Sequence, residues 1–225
     1  MDFLAITAEQ MPLILGRLGK GMLLSAEIFA LTLLLSLPLG LLVYFGKTSK
    51  FKLLSGITNV YISVMRGTPL MLQLMVVFYG PYFVFGMSLS ESYRFPAGII
   101  AFVINYAAYF AEIYRGGIES IEKGQYEAAD ILGFTKTQTF IRIILPQMVK
   151  RVLPSITNEA ITLVKDTSLA FTISILEMFT VAKEIANKNT SMLPYVIAAV
   201  FYYIFNYLVA YIMQRIEKKM NYYKV

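Results

Sequence analysis

Long apolar runs alternate with short polar intervals along this chain. Ile28 to Phe45 carries no charge and extends back to about Gly21. Leu70 to Phe85 and Phe95 to Ala111 follow, and Met192 to Gln214 is the cleanest run. A membrane-crossing helix needs about 20 mostly apolar residues, so the pattern predicts spans over about 21–45, 66–86, 95–114, 153–180 and 192–214. The second is entered through Arg66-Gly67-Thr68-Pro69, and proline suits the first turn of a helix. The fourth, from Leu153 to Val181, has the right length but contains Glu159, Lys165, Asp166 and Glu177. The expected fold is all-α: one polytopic membrane domain over residues 1–225 with five transmembrane helices, and no repeat, linker or low-complexity segment.

Between spans three and four lies a polar interval of about 115–151. Ile118, Ile121, Ala128, Ala129 and Leu132 fall near a helical period. Gly133 sits where a helix-ending glycine would sit. Thr135 precedes Gln138 by three, the spacing of a capping box that opens a new helix. That helix is expected to stop before Pro146, because a residue preceding proline avoids the helical region. The interval reads as helix, glycine corner, helix: a rigid knob, with alanines keeping one face flat for a close approach. The alternative is an amphipathic hairpin lying on membrane lipid. Glu112, Glu119, Glu122, Glu127 and Asp130 share the interval with its bases; a lipid-binding surface favours bases alone, so the balance tips toward a protein partner.

Composition supports membrane residence. Of the 225 residues 57% are apolar and 15% charged, against about 25% charged in a soluble domain. Mean hydropathy is +0.63. The formal charge of +6 is expected to reflect basic cytoplasmic loops, with no nucleic acid implied. Lys47, Lys50 and Lys52 follow span one; Arg115, Lys123, Lys136, Arg142, Lys150 and Arg151 follow span three; Arg215, Lys218, Lys219 and Lys224 close the chain. Fewer bases, Arg17, Lys20, Arg94, Lys183 and Lys188, fall on the other side. The positive-inside rule then places the N-terminus outside and the C-terminus in the cytoplasm. The start "MDFLAITAEQ" is acidic rather than basic and leads to no small-residue cleavage site, so no cleavable signal peptide is expected. With no cysteine and no histidine, thiol chemistry and the commonest general base and metal ligand are absent.

A charge at mid-bilayer costs about 2.5 to 3.5 kcal/mol on insertion scales, and such residues face a bundle interior or a water-filled cavity. At about 100° per residue, Asn158, Glu159, Thr162, Lys165, Asp166 and Thr172 fall within one arc of about 140°, with Leu163, Val164 and Phe171 outside it. Lys165 and Asp166 are adjacent and cannot face each other, so each is expected to pair on another helix. Two readings stand: an ion-pair network that fixes packing, or a polar wall of a translocation path. Glu112 and Arg115 read as structural, Arg66 as an interfacial anchor, and Tyr106 and Tyr109 as packing aromatics or path lining.

The run from Glu127 carries a further signal. Glu127-Ala128-Ala129, three residues, Gly133, nine residues, Ile143, one residue, then Leu145-Pro146 resembles the EAA loop of ABC importer permeases, with every fixed position filled. "RGTPLMLQL" (66–74), "AEIYRGGI" (111–118) and "KDTSL" (165–169) are similar to segments of the polar amino-acid branch, the histidine and glutamine permease type. The resemblance covers roughly 20–215. It implies a five-helix core in the cytoplasmic membrane of a prokaryote, paired with a second permease as homo- or heterodimer. It implies ABC ATPase subunits docked on the coupling helix at Glu127, Ala128, Ala129 and Gly133, and an extracytoplasmic amino-acid-binding protein. The path residues would be Glu159, Thr162, Lys165, Asp166, Thr167 and Ser168. ATP and Mg belong to the partner ATPase, and this chain would hold no cofactor, no metal and no catalytic residue.

Two rivals are a passive channel, which needs no rigid knob, and a membrane enzyme built on carboxylates, Ser168 or Lys165. Neither G-x-S-x-G nor H-E-x-x-H occurs. "GRLGKGM" (16–22) contains Gly-Lys without the spacing that cradles phosphate, so an ATP-driven process requires a separate ATPase.

Overall fold

The computed structural model describes residues 8–220, and among these every regular element is helical. The expectations for "MDFLAIT" and for Lys224 lie outside the described residues. Helix α1 (Met11–Lys47), α4 (Glu91–Glu119) and α9 (Leu193–Met220) are each long and apolar enough to cross a membrane, and they correspond to spans one, three and five. Between α1 and α4 come α2 (Lys52–Gly67) and α3 (Leu70–Phe85), bent by 113° at the break between them. After α4 a hairpin of α5 (Lys123–Ile131) and α6 (Lys136–Thr139) leads through a π-helical turn, Phe140–Ile144, into α7 (Leu145–Asp166). A 3-10 segment, Thr167–Ile173, then links α7 to α8 (Met178–Asn189), which precedes α9.

α4 is the central element. Its buried side includes Ala101, Phe102, Tyr106, Ala107, Phe110 and Ala111. Opposite them α1 buries Ser25, Ile28, Thr32, Ser36 and Gly40. Where lipid surrounds a bundle, small residues let helix backbones approach and dispersion contacts accumulate. Gly40 shows how tight this seam is, since an added Cβ would lie 2.7 Å from Phe110 Cβ. The largest buried cluster joins this seam to α3 and α7 through Leu74, Phe78, Met148, Val152 and Leu163.

Two expected spans differ. Expected span two holds the 16-residue α3, about 24 Å of helix, and α2 before it is an additional helix; the bent pair together is long and apolar enough for one crossing. α2 escapes a span-length window because its 16 residues mix Ser, Thr, Asn and Lys with apolar side chains. It buries Thr58 and Ile62 while exposing Leu53, Ile57 and Val60. Thr68, preceding Pro69, is extended (φ −121°, ψ 149°), as proline demands of its predecessor. The bend is braced: Gln73 Nε2 donates to the carbonyls of Met65 (2.9 Å) and Thr68 (3.1 Å) and to Thr68 Oγ1 (2.8 Å). Asn105 of α4 donates to Met65 O (3.1 Å) and Gln73 Oε1 (2.9 Å). Carbonyls left free at the end of α2 thus gain partners that a membrane interior does not otherwise offer.

Span four is not one helix. α7 begins at Leu145, ends at Asp166, and α8 is separate. The hydroxyls of Thr167, Ser168 and Thr172 each donate to the carbonyl three residues back, at 2.8, 2.7 and 2.9 Å. Such back-bonding competes with the α ladder, and here the chain tightens to 3-10. Ser174 then takes a left-handed conformation (φ 59°) that reverses the chain.

Candidate functional site: a polar helix face, a charged cleft and the hairpin at its end

The hairpin closes as its spacing predicts. Gly133 has φ 76°; its N–H donates to Asp130 O (2.9 Å) and that of Phe134 to Ala129 O (3.0 Å). This paired closure is the Schellman motif, with glycine where a Cβ would be strained. Thr135 and Gln138 form both halves of a capping box. The second helix does not stop before Pro146. Leu145 N–H reaches back five residues to Phe140 O, one turn widened to the π form, and the helix runs on through the proline. Pro146 falls in the first turn of α7, where its missing N–H costs least.

The helical period expected from Ile118 to Leu132 is broken, because α4 ends at Glu119 and α5 begins at Lys123. α5 buries Ala129 alone, while Glu127 and Ala128 are exposed. At its tip Ile131 is 86% and Leu132 72% exposed. A cleft of about 520 Å³ beside the hairpin is lined by Tyr126, Glu127, Asp130, Phe134, Lys136 and Phe140.

On α7, Asn158, Thr162 and Lys165 are exposed, Glu159 and Asp166 half-buried, and Thr167 buried. Asp166 accepts from Tyr106 Oη of α4 at 2.7 Å, so one expected cross-helix pairing exists. Lys165, Glu159 and Asp166 form no ion pair among the described residues. Glu159 lies within electrostatic range of Asp166 and of Arg66. Thr162 and Ser168 spend their hydroxyl protons on Asn158 O (3.1 Å) and Lys165 O (2.7 Å).

Below Glu159 the polar face continues where the sequence expectation had stopped. A second cleft of about 520 Å³ is lined by Glu159, Ser155 and Arg151 of α7, Arg66 of α2, and Tyr109, Glu112, Arg115 and Gly116 of α4. Ser155 falls inside the same angular arc, and so does Arg151 once α7 is traced back beyond Leu153. The signal was in the sequence: a helix assumed to start at Leu153 excluded Arg151, and Ser155, inside that span, was passed over.

Glu112 is the charge hub of this cleft. It pairs with Lys47 of α1, with Arg115 Nε at 3.0 Å and with Arg66 Nη1 of α2 at 3.7 Å. The guanidinium of Arg66 also lies 5.4 Å from the Tyr109 ring centre, an attractive cation–ring geometry. Arg151 Nη1 donates to Ser120 O, tying α7 to the end of α4. Gly117 permits this contact, as an added Cβ would fall 2.1 Å from Val152 Cγ1.

A third polar centre had no sequence expectation. Glu177 is fully buried and caps α8, accepting from Phe179 N (2.7 Å), Thr180 N (2.7 Å), Thr180 Oγ1 (2.8 Å), Tyr202 Oη (2.9 Å) and Ser25 Oγ (3.4 Å). Among the described residues no group of three His, Cys, Asp or Glu side chains converges as a metal site.

Residues 36–222 match the family described as binding-protein-dependent transport system inner membrane component. The L-cystine transport system permease protein TcyB of Bacillus subtilis is 36% identical over 208 residues, covering 92% of this chain and 87% of that protein. The arginine transport system permease protein ArtQ of the same organism is 34% identical over 222 residues, 98% of each chain. Among solved structures, a chain from a crystal structure of an amino acid ABC transporter with histidines superposes with a TM-score of 0.85 at 29% identity, covering 95% of this chain and 99% of that one.

Proposed function

Because the chain belongs to the family of binding-protein-dependent transport system inner membrane components, we propose that it is the membrane permease of an ATP-driven importer of a polar amino acid. Relatives named for cystine, glutamine and arginine transport support that substrate class. ATP and its Mg sit on a separate ATPase, and an extracytoplasmic binding protein delivers the substrate. A second permease, identical or related, faces the exposed polar residues of α7. Five segments cross the membrane: α1, α3, α4, α7 with its 3-10 continuation, and α9. The bias of bases puts the hairpin and the C-terminus in the cytoplasm and the N-terminus outside.

One observation carries the reading. The α5–α6 knob, with Ile131 and Leu132 exposed at its tip, runs without a break through the π turn into the helix that bears Glu159 and Asp166. Of the expected coupling residues, Glu127 and Ala128 make the ATPase contact from the exposed side of α5, while buried Ala129 seats the helix on the bundle and Gly133 sets the corner. Glu159, Thr162, Lys165, Asp166 and Ser168 line the path, with Thr167 fixing the end of α7 from behind.

The test is reconstitution with the ATPase and binding protein in proteoliposomes, measuring uptake of labelled L-cystine, L-glutamine and L-arginine. ATP-dependent uptake of at least one is expected; equal uptake without ATP would make the protein a channel, and no uptake would remove the substrate class. In the same vesicles Gly133→Val, which strains the left-handed corner, should abolish binding-protein-stimulated ATPase activity while leaving the spans folded. Asp166→Asn and Glu159→Gln should lower uptake of arginine relative to glutamine, since charge-assisted hydrogen bonds are about twice as strong as neutral ones. An unchanged ranking with a lowered Tm would mark the acids as packing groups only.

A further inference from the structure

We infer that the charged cleft beside Glu159 is an exit subsite for the translocated amino acid, with Arg66 and Arg151 taking its α-carboxylate. The inference rests on the importer reading above and adds to it a second station with its own chemistry. Arg151, Ser155 and Glu159 follow one another at intervals of four on α7, so they stand in one row about 12 Å long. Glu159 belongs both to this row and to the acidic stretch that ends at Asp166. The row itself therefore changes sign, from the guanidinium of Arg151 to the carboxylate of Glu159, both on the wall of one cleft.

Arg66 is loosely held. Its nearest acid oxygen is 3.7 Å away, on a carboxylate that also serves Lys47 and Arg115, and 44% of its side chain is exposed. Arg151 is fixed at the wall by one bond to a backbone carbonyl. Both keep N–H groups free, and a guanidinium presents these as a planar fork that matches a carboxylate. Gly116 on the opposite wall has open space where a side chain would project, and about 520 Å³ accommodates a free amino acid. An α-ammonium at Glu159 and an α-carboxylate on the arginines satisfies both charges of a zwitterion at once, which neither end of the path does alone.

The experiment uses the reconstituted complex, binding protein outside and ATP inside. Vesicles are preloaded with L-arginine, L-glutamine or L-cystine, or with the decarboxylated counterpart agmatine, 4-aminobutanamide or cystamine. Internal amino acid should slow ATP-driven uptake of the labelled form, and the amine lacking the carboxylate should be at least about tenfold weaker, the loss expected for one charge-assisted hydrogen bond. Arg66→Gln and Arg151→Gln should raise the half-inhibitory internal concentration about tenfold more than they raise the external KM. Amines that inhibit as well as the amino acids would overturn the inference, and so would variants that shift internal and external constants together. Should Arg151→Gln fail to assemble, because it also ties α7 to α4, Arg66→Gln decides alone. Absence of all ATP-driven uptake in the unmodified complex would instead remove the importer reading itself.

Discussion

Glu112 and Glu177 are both carboxylates inside the helical bundle, and they are stabilised in opposite ways. Glu112 is surrounded by cations from three helices. Two of these, Lys47 and Arg66, sit in the last turns of α1 and α2, where positive charge complements the helix dipole. Glu177 has no cation. It sits at the N-terminus of α8 and collects backbone N–H and hydroxyl donors from α1, α8 and α9, so the dipole of α8 and fixed hydrogen bonds do the work of a counter-ion. Glu112 lines a cleft, and its partners are long side chains that reach it from three helices. Glu177 is sealed off, and its partners are short side chains and backbone. Ion pairs hold the carboxylate that lines a cleft; hydrogen bonds from backbone and hydroxyl groups hold the one sealed in the core.

Breaking Glu177 should cost most. Glu177→Ala leaves several buried donors without an acceptor, each worth about 1 to 3 kcal/mol, and should lower stability by about 3 to 5 kcal/mol, read as a drop in Tm and in folded yield in detergent. A loss below about 1 kcal/mol would show that water or a neighbouring carbonyl replaces the carboxylate. Glu112→Gln should cost less, about 1 to 2 kcal/mol, because its cations reach solvent from a cleft and ion pairs at such sites contribute little. The two should also part on salt: near 1 M, where the Debye length is about 3 Å, the Tm gap between wild type and Glu112→Gln should narrow while that of Glu177→Ala persists. Equal salt sensitivity would erase the distinction. Tyr202→Phe removes one of the donors to Glu177 and leaves the carboxylate in place, and should cost about 1 kcal/mol with no salt dependence.

The sequence was most legible where the signal is local. Gly133, Thr135 and Gln138 lie within six residues, and α9 needs only its own hydropathy. It was least legible where an element depends on distant partners. Glu177 reads as an awkward charge in a span, because Ser25 lies 152 residues away and Tyr202 lies 25 away. The length of 153–181 suited one membrane helix, yet three Ser/Thr hydroxyls and Ser174 divide it. α2 hid because its 16 residues mix Lys, Ser, Thr and Asn with the apolar side chains, so no uninterrupted apolar run marks it. Pro146 misled because proline ends a helix only when the turn before it cannot widen.

That widened turn has a mechanical consequence. From Lys136 to Asp166 the chain is helical throughout, a rod of about 46 Å along its contour at 1.5 Å per residue, with the π turn and Pro154 inside it. Pushed at one end, such a rod acts as a lever: a tilt of about 5° displaces its far tip by about 4 Å, more than the length of a hydrogen bond. Had the helix ended before Pro146, force applied to the hairpin would dissipate in a loop. A single irregular turn would let mechanical work done at the knob arrive at Glu159 and Asp166.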